Sequence, residues 1–404
     1  MSSLVTAVPI SINDPLNQTI LEVSEDQIQG FAADPIGEIA AKSGIDADTV
    51  IERMRAMLEA GTIRRIRQTL LATNLAQGAL IAWKLPFQRL DVAFDFLLEN
   101  DPFTGHIVIR RAELAAGETD YRLWTTLKVP KGFSLEEHCA LLQRLIGAEA
   151  HRIMPPLRVF ALGVGHMRRK GLEIGARSEH PAEAREAAIV DLDENDWRIL
   201  MVLKREFSSL EIVRDLWSAR AEEAGVDRAT FMQVASDLDR RGVIGRFSTF
   251  LEHVKPAASG ERVTKYNGLF QWAVPKGREI EAGSEIGRFH ALTHCYWRDA
   301  GPELNDVNIM AVAHGEQKAT VLMQKEAIDA HLDACGIPLL YTNTFWGVRS
   351  EVRPSEISPV SYRTWKQRFG REEKTTPNPH VIPSPKTALC AAEEGMTPQT
   401  LPSS

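Results

Sequence analysis

The segment Leu292-Thr293-His294-Cys295-Tyr296-Trp297-Arg298 carries an imidazole, a phenol and a guanidinium at every second position. Strand geometry sends alternate side chains to one face, so His294, Tyr296 and Arg298 are expected to point one way and Cys295 the other. A second imidazole, His314, closes the apolar run that begins at Val307. Arginine suits the gripping of carboxylates, because its planar fork donates two parallel hydrogen bonds and keeps its charge. Histidine, with an unperturbed pKa of roughly 6.5, suits proton delivery. On residue type and spacing alone, a solvated or ion-pairing role is the plainer reading of His294 and Arg298, and a grip on an acidic molecule with proton delivery is the sharper one. His106 and Arg110 repeat the spacing of His294 and Arg298, and further guanidiniums stand at Arg64, Arg65 and Arg246.

The elements that position these groups occur twice. Residues 57–66 and 238–247 both read as a helix end, a glycine cap and a strand carrying arginine. Each leads into an apolar strand ending Trp-x-x-Pro, Trp83 to Pro86 and Trp272 to Pro275, with a loop of extra residues near 257–260 in the second copy. Ahead of each arginine strand lies the three-helix and wing layout of a winged helix-turn-helix, with Gly44 and Gly225 in the turns. After it comes the order β-α-β-β-α-β, the ferredoxin-like arrangement. The expected fold is α+β, a tandem duplication forming an internal pseudo-dimer. Its parts are winged-helix domain 1 (12–76), ferredoxin-like domain 1 (77–164), a linker (165–190), winged-helix domain 2 (191–264), ferredoxin-like domain 2 (265–353), and a C-terminal extension (354–404), mostly a disordered tail.

Composition narrows the function classes. The longest uncharged stretch, 68–83, is too short and too polar for a membrane span, which needs about 20 apolar residues. No secretory signal is visible, and the four cysteines lie far apart, so neither a disulfide framework nor a thiolate zinc site is expected, and a reducing cytoplasm is. A net charge of -7 gives no general attraction to nucleic acid. The first recognition helix, 46–60, sets four carboxylates against two guanidiniums, and the second is neutral. DNA binding, which draws its affinity from cations meeting phosphate, is not expected.

Asp34-Pro35-Ile36-x-x-Ile39-Ala40 with Gly44, the Gly61-x-Ile63-Arg64-Arg65-Ile66 run, Ala82-Trp83-x-x-Pro86, Thr293-His294-Cys295-Tyr296-x-Arg298 and His314-Gly315 together resemble the sirohaem decarboxylases, enzymes on the Lrp/AsnC plan in the haem and d1-type haem pathways. The likeness spans about 14–353, and the chain looks like a fusion of two related subunits. The resemblance implies decarboxylation of acetate arms on sirohaem or a related iron tetrapyrrole. His294 and His314 would be proton donors or iron-facing groups, and Arg65, Arg246 and Arg298 carboxylate anchors. Tyr296, Arg64, Arg110, Arg111 and His106 would also meet substrate. No organic cofactor and no resident metal are implied, since the iron arrives with the substrate. A homodimer is compatible with this plan. The rival readings are an Lrp/AsnC-type regulator and a non-catalytic haem-binding protein.

The first copy departs from the family pattern: it lacks the Cys-Tyr pair, Lys128 aligns with His314, and Arg67 replaces a usual glycine. One of two sites is therefore expected to be altered. Trp83 and Trp272 are read as core, His290 as structural, and Cys295 as turned away. Arg64 and Arg65 have a solvated wing as their plainer alternative. His138, His151, His166, His180, His253, His331 and His380 belong to no motif, and Cys390 is read as idle.

Overall fold

A computed structural model describes residues 8–71, 75–114, 119–162, 165, 167, 171–186, 190–251 and 264–370. The expected tail beyond 370, the extra loop near 257–260 and part of the linker lie outside the described residues.

The first half runs α1 (Pro15–Ser24), β1 (Ile28–Gln29), α2 (Pro35–Ser43), α3 (Ala47–Glu59), β2 (Ile63–Leu70), β3 (Ala76–Lys84), α4 (Leu90–Asn100), β4 (Thr104–Ala112), β5 (Tyr121–Pro130), α5 (Leu135–Ile146), β6 (Ala150–Met154) and β7 (Arg158–Leu162). The second runs α6 (Glu194–Leu203), α7 (Ser218–Glu223), α8 (Arg228–Arg240), β8 (Ile244–Leu251), β9 (Tyr266–Ala273), α9 (Glu279–Gly287), β10 (Leu292–Trp297), β11 (Ile309–Gly315), α10 (Lys318–Ala334) and β12 (Tyr341–Val352), followed by α11 (Pro359–Gly370). Helix starts are written in the sequence. Asp14, Asp34, Asp46 and Asp227 cap α1, α2, α3 and α8, each accepting from backbone N–H groups of the first turn. Gly44 ends α2 at φ +71°, a left-handed conformation that only glycine adopts cheaply.

The two winged segments share one core rather than forming two bodies. Their strands make a single sheet in the order β1-β8-β2, so the wing of each half hydrogen-bonds to the other. Ile36, Val50, Met54 and Ile66 from the first half pack in one cluster with Leu200, Trp217, Phe231 and Phe247 from the second.

The ferredoxin-like parts each pair their strands in the order last, first, third, second: β6-β3-β5-β4 and β12-β9-β11-β10. Strand β12 joins them by pairing with β9 over its first part and β4 over its second. The stretch 152–162, which the sequence presents as one strand, is divided into β6 and β7 because Pro155 and Pro156 cannot donate to a ladder. β6 pairs with β3 and β7 with β10, as the two parts of β12 do on the opposite side. These are the end strands of the nine-stranded order, yet three residues alone separate them, so the sheet closes on itself as a barrel.

Helices cover the outside of that barrel. Trp83, Phe94 and Leu142 fill the layer over the first half, and Phe270, Trp272 and Ile328 that over the second. Both tryptophans are core residues, fully buried. The interior has its own apolar layer of Ala82, Trp124, Met154, Leu269, Met310 and Phe345, closed at one end by Ala300, Leu304 and Val307 from the loop between β10 and β11. The opposite end faces the winged layer.

Inside the C-terminal extension, which the sequence marks as mostly disordered, α11 is a packed helix. Tyr362, Trp365 and Phe369 lie on the first half's helical layer. Trp365 donates to Asn100 O at 2.6 Å.

Candidate active site

Alternation along β10 survives a bulge. Leu292 faces Ala313 and His294 faces Val312, so Thr293 is the extra residue. Beyond it Cys295 enters the helical core, where burial pushes its thiol up. His294, Tyr296 and Arg298 take the inner face. The His294 and Tyr296 rings stack with centroids 6.0 Å apart, and the Arg298 guanidinium lies 4.5 Å from the Tyr296 centroid. Thr293 Oγ1 donates to Val312 O at 3.1 Å and lies 2.9 Å from His294 Nδ1. A hydroxyl whose proton is committed to a carbonyl must accept from the ring, so this contact keeps a proton on Nδ1, and Nε2 is the nitrogen that gains and gives up the second proton of the imidazolium. The register opposite Val312 puts His314 one same-face step further along β11.

The barrel joins groups from different halves. Arg298 Nη1 donates to Met154 O of β6, and Arg110 Nη1 donates to Phe345 O of β12 at 3.3 Å, the equivalent position in the other half. Arg110 also meets Asn267 Oδ1 at 3.5 Å, and Asn267 is the register partner of His314. One lobe therefore combines Arg110 and His106 of the first half with Asn267 and His314 of the second. The other combines His294, Tyr296 and Arg298 of the second with Lys128 of the first, whose ammonium feels the Arg298 charge. His106 Nε2 sits 2.8 Å from Ser350 Oγ.

The winged sheet supplies the roof. On β2 and β8, Ile63, Ile66, Phe247 and Leu251 face the winged core, leaving Arg65, Arg67 and Arg246 on the other surface. Arg64 and Arg65 both donate to Val352 O, at 2.6 and 3.3 Å, and Val352 is the register partner of His106. These two arginines are thus pinned against the barrel rim rather than solvated. Arg65 pairs with Glu206 at 3.2 Å, and Arg246 donates to Glu25 O at 3.2 Å. Arg67 lies over the Phe250 ring, its guanidinium pulled down to about 10 by burial, with Arg65 and Arg246 adding repulsion. Arg111, by contrast, is exposed and takes no part. A recess of about 280 Å³ borders His314 at this end, between Ile12, Met167 and α10. That is less than the roughly 300–1,000 Å³ of a pocket enclosing a small organic ligand, so this recess alone admits only a ligand's edge.

The interior electrostatics are one-sided. Burial pulls Arg110 down to about 9, Arg298 to about 10 and Lys128 to about 8, and no carboxylate figures among the causes for any of them. Arg67 Nε and Arg110 Nε are buried with no acceptor among the described residues. Unpaired buried cations are costly, and an anionic ligand would relieve that cost. Lys128, Arg67 and Asn267 were legible only as departures from a pattern or not at all, because their partners lie in the other half.

Comparison with known proteins gives a consistent picture. Residues 264–345 match the AsnC-like ligand binding domain. The chain is 24% identical over 333 residues to the sirohaem decarboxylase of Hydrogenobacter thermophilus, covering 82% of this chain and 92% of that protein. It is 25% identical over 142 residues to the NirH subunit of sirohaem decarboxylase from Paracoccus pantotrophus, covering 35% of this chain and 82% of the subunit. The crystal structure of the sirohaem decarboxylase NirDL superposes with a TM-score of 0.62 at 20% identity, over 88% of this chain and 98% of that one. A second NirDL structure, in complex with an iron-uroporphyrin III analogue, gives the same score over 89% and 99%. With the duplicated winged and ferredoxin-like elements already in view, these likenesses all fit the sirohaem decarboxylase family.

Proposed function

We propose that this protein removes carbon dioxide from acetate side chains of sirohaem or a closely related iron tetrapyrrole, on the way to haem or d1-type haem. The observation that carries the reading is the buried positive charge of Arg110, Lys128 and Arg298, with no ion pair to a carboxylate among the described residues, beneath a roof bearing Arg65, Arg67 and Arg246. A polycarboxylate macrocycle supplies the missing anions, and Trp124, Leu269 and Met310 offer an apolar floor. The relatives' activity supports the same reading.

Chemically, the bond between the acetate methylene and its carboxyl carbon breaks, carbon dioxide leaves, and the electron pair stays on the methylene carbon in conjugation with the ring. A proton then completes the methyl group. Guanidiniums from the roof and interior hold the carboxylates that do not react. Holding the reacting carboxylate too tightly would oppose its departure, so the anchors belong to the neighbouring arms. His294, oriented through Thr293, and His314 deliver the proton, a step worth about 100- to 10,000-fold. Iron belongs to the substrate. The site draws on both halves of one chain, so a homodimer is not needed to complete it.

The regulator reading is weakened by what the recognition helices do with their arginines. Arg53 bonds to Asp14 at 3.0 Å and Arg55 to Ile212 O at 2.9 Å. In the second helix Arg228 and Arg240 pair with Asp215 and Asp237 at 3.1 and 2.8 Å. Cations spent internally are poorly placed for phosphate. No helix among the described residues is long and apolar enough to cross a membrane. Anaerobic incubation with sirohaem separates the three readings: loss of mass in carbon dioxide steps supports the enzyme, tight binding without turnover a haem-binding protein, and salt-sensitive duplex DNA binding a regulator.

A further inference from the structure

Outside the barrel, on the solvent side of the second half, three side chains converge that the decarboxylation does not use. Glu285 comes from α9, and His331 and Cys335 from α10 and its C-cap. One ligand atom from each lies within 4.8 Å of the others. His331 Nε2 is 2.6 Å from Glu285 Oε2 and 3.6 Å from Cys335 Sγ. His331 and Cys335 are four residues apart, one helical turn, so both project from the same face towards α9. The surroundings hold this arrangement in place. Phe289 packs edge-on against the His331 ring with centroids 5.4 Å apart, and Arg288 donates to Glu285 at 2.9 Å. Arg288 also bonds to the carbonyls of Ser178 and Glu179, tying the linker between the halves to the same corner.

We propose that Glu285, His331 and Cys335 form a binding site for a divalent transition ion of the zinc class. The donor set of one carboxylate oxygen, one imidazole nitrogen and one thiolate suits a borderline-soft ion and is wrong for calcium or magnesium, which prefer all-oxygen shells. Three protein ligands leave a fourth tetrahedral position to water. Binding replaces the His331–Glu285 hydrogen bond with two metal bonds and adds a third to the Cys335 thiolate, the thiol proton passing to solvent and the imidazole proton moving from Nε2 to Nδ1. Arg288 remains on the carboxylate, a second-layer contact of the kind that orients acidic ligands. Cys335 is exposed and free, so an ion reaches it without any opening of the fold. The site lies on the helical layer, on the far side of the sheet from His294 and Arg298, and is independent of the substrate's iron.

The test uses the full chain titrated with Co²⁺, a spectroscopic stand-in for zinc. The expected result is one tightly held equivalent, with the intense visible bands of a four-coordinate site and a near-ultraviolet thiolate-to-cobalt charge-transfer band, both bleached by equimolar Zn²⁺. Cys335→Ser should abolish the charge-transfer band and weaken binding at least tenfold. His331→Ala should weaken it similarly. Because Cys335 is exposed, its replacement leaves the core intact, and an unchanged circular dichroism spectrum checks this. Absence of the charge-transfer band in the unaltered protein, or its survival in Cys335→Ser, overturns the assignment.

Discussion

Lys128 is the residue where burial and charge oppose each other most directly. Its ammonium is pulled down to about 8, first by burial and then by Arg298, from a usual value of 10.5. The folded state therefore binds fewer protons than the unfolded chain between about pH 8 and 10.5. Lys128's contribution to stability accordingly rises with pH through that window, as its buried charge is given up. Lys128→Met should stabilise the ligand-free protein by about 1–3 kcal/mol at pH 7, read as a higher urea midpoint. An anionic ligand draws the proton back, so tetrapyrrole affinity should fall by up to about tenfold per unit above pH 8 in the native protein. That slope should vanish in Lys128→Met; a slope that persists would show that Lys128 does not face the ligand. The role proposed for the imidazoles lies in the chemical step. His294→Ala and His314→Ala should each slow turnover by about 100-fold or more while changing the binding constant little. Undiminished turnover in both variants removes the proton-delivery roles.

At the scale of elements, the face of β10 was readable from alternation alone, because a strand's side-chain period does not depend on its neighbours. The duplication was equally plain, since its arginine strands and Trp-x-x-Pro ends recur in order. Closure of the barrel was not. It depends on Pro155 and Pro156 dividing one extended stretch between the two ends of a single sheet, and a local reading of 152–162 gives one strand. Pairings such as Arg110 with Asn267 and Lys128 beside Arg298 join residues more than 150 positions apart, which no spacing rule reveals. His331 shows the same limit: its partner Glu285 lies on another helix. α11 was hidden by the polar, proline-rich sequence around it, although its aromatic residues fall on one side. Trp365→Ala should cost about 3–5 kcal/mol, seen as a lower urea midpoint, because it empties a site packed against Phe103 and His138. Turnover at low temperature should be retained, since this helix covers the outside of the sheet. Wild-type stability in that variant would mean α11 does not dock in solution.

The whole molecule is an internal pair whose symmetry has been broken where chemistry is done. Equivalent positions hold His314 and Lys128 in the two lobes, and each lobe borrows residues from both halves. The winged layer completes the enclosure with arginines on the sheet face turned from its own core, while the arginines of its recognition helices are tied up in internal bonds. A scaffold of the kind used to read nucleic acid here surrounds a positively charged interior instead. The most direct check on that view is anaerobic incubation of the purified chain with sirohaem, followed by mass spectrometry of the tetrapyrrole. The account requires stepwise loss of carbon dioxide at a rate that falls sharply when Arg110 and Arg298 are each replaced by Met. Unaltered sirohaem after prolonged incubation, or turnover indifferent to both replacements, would contradict it.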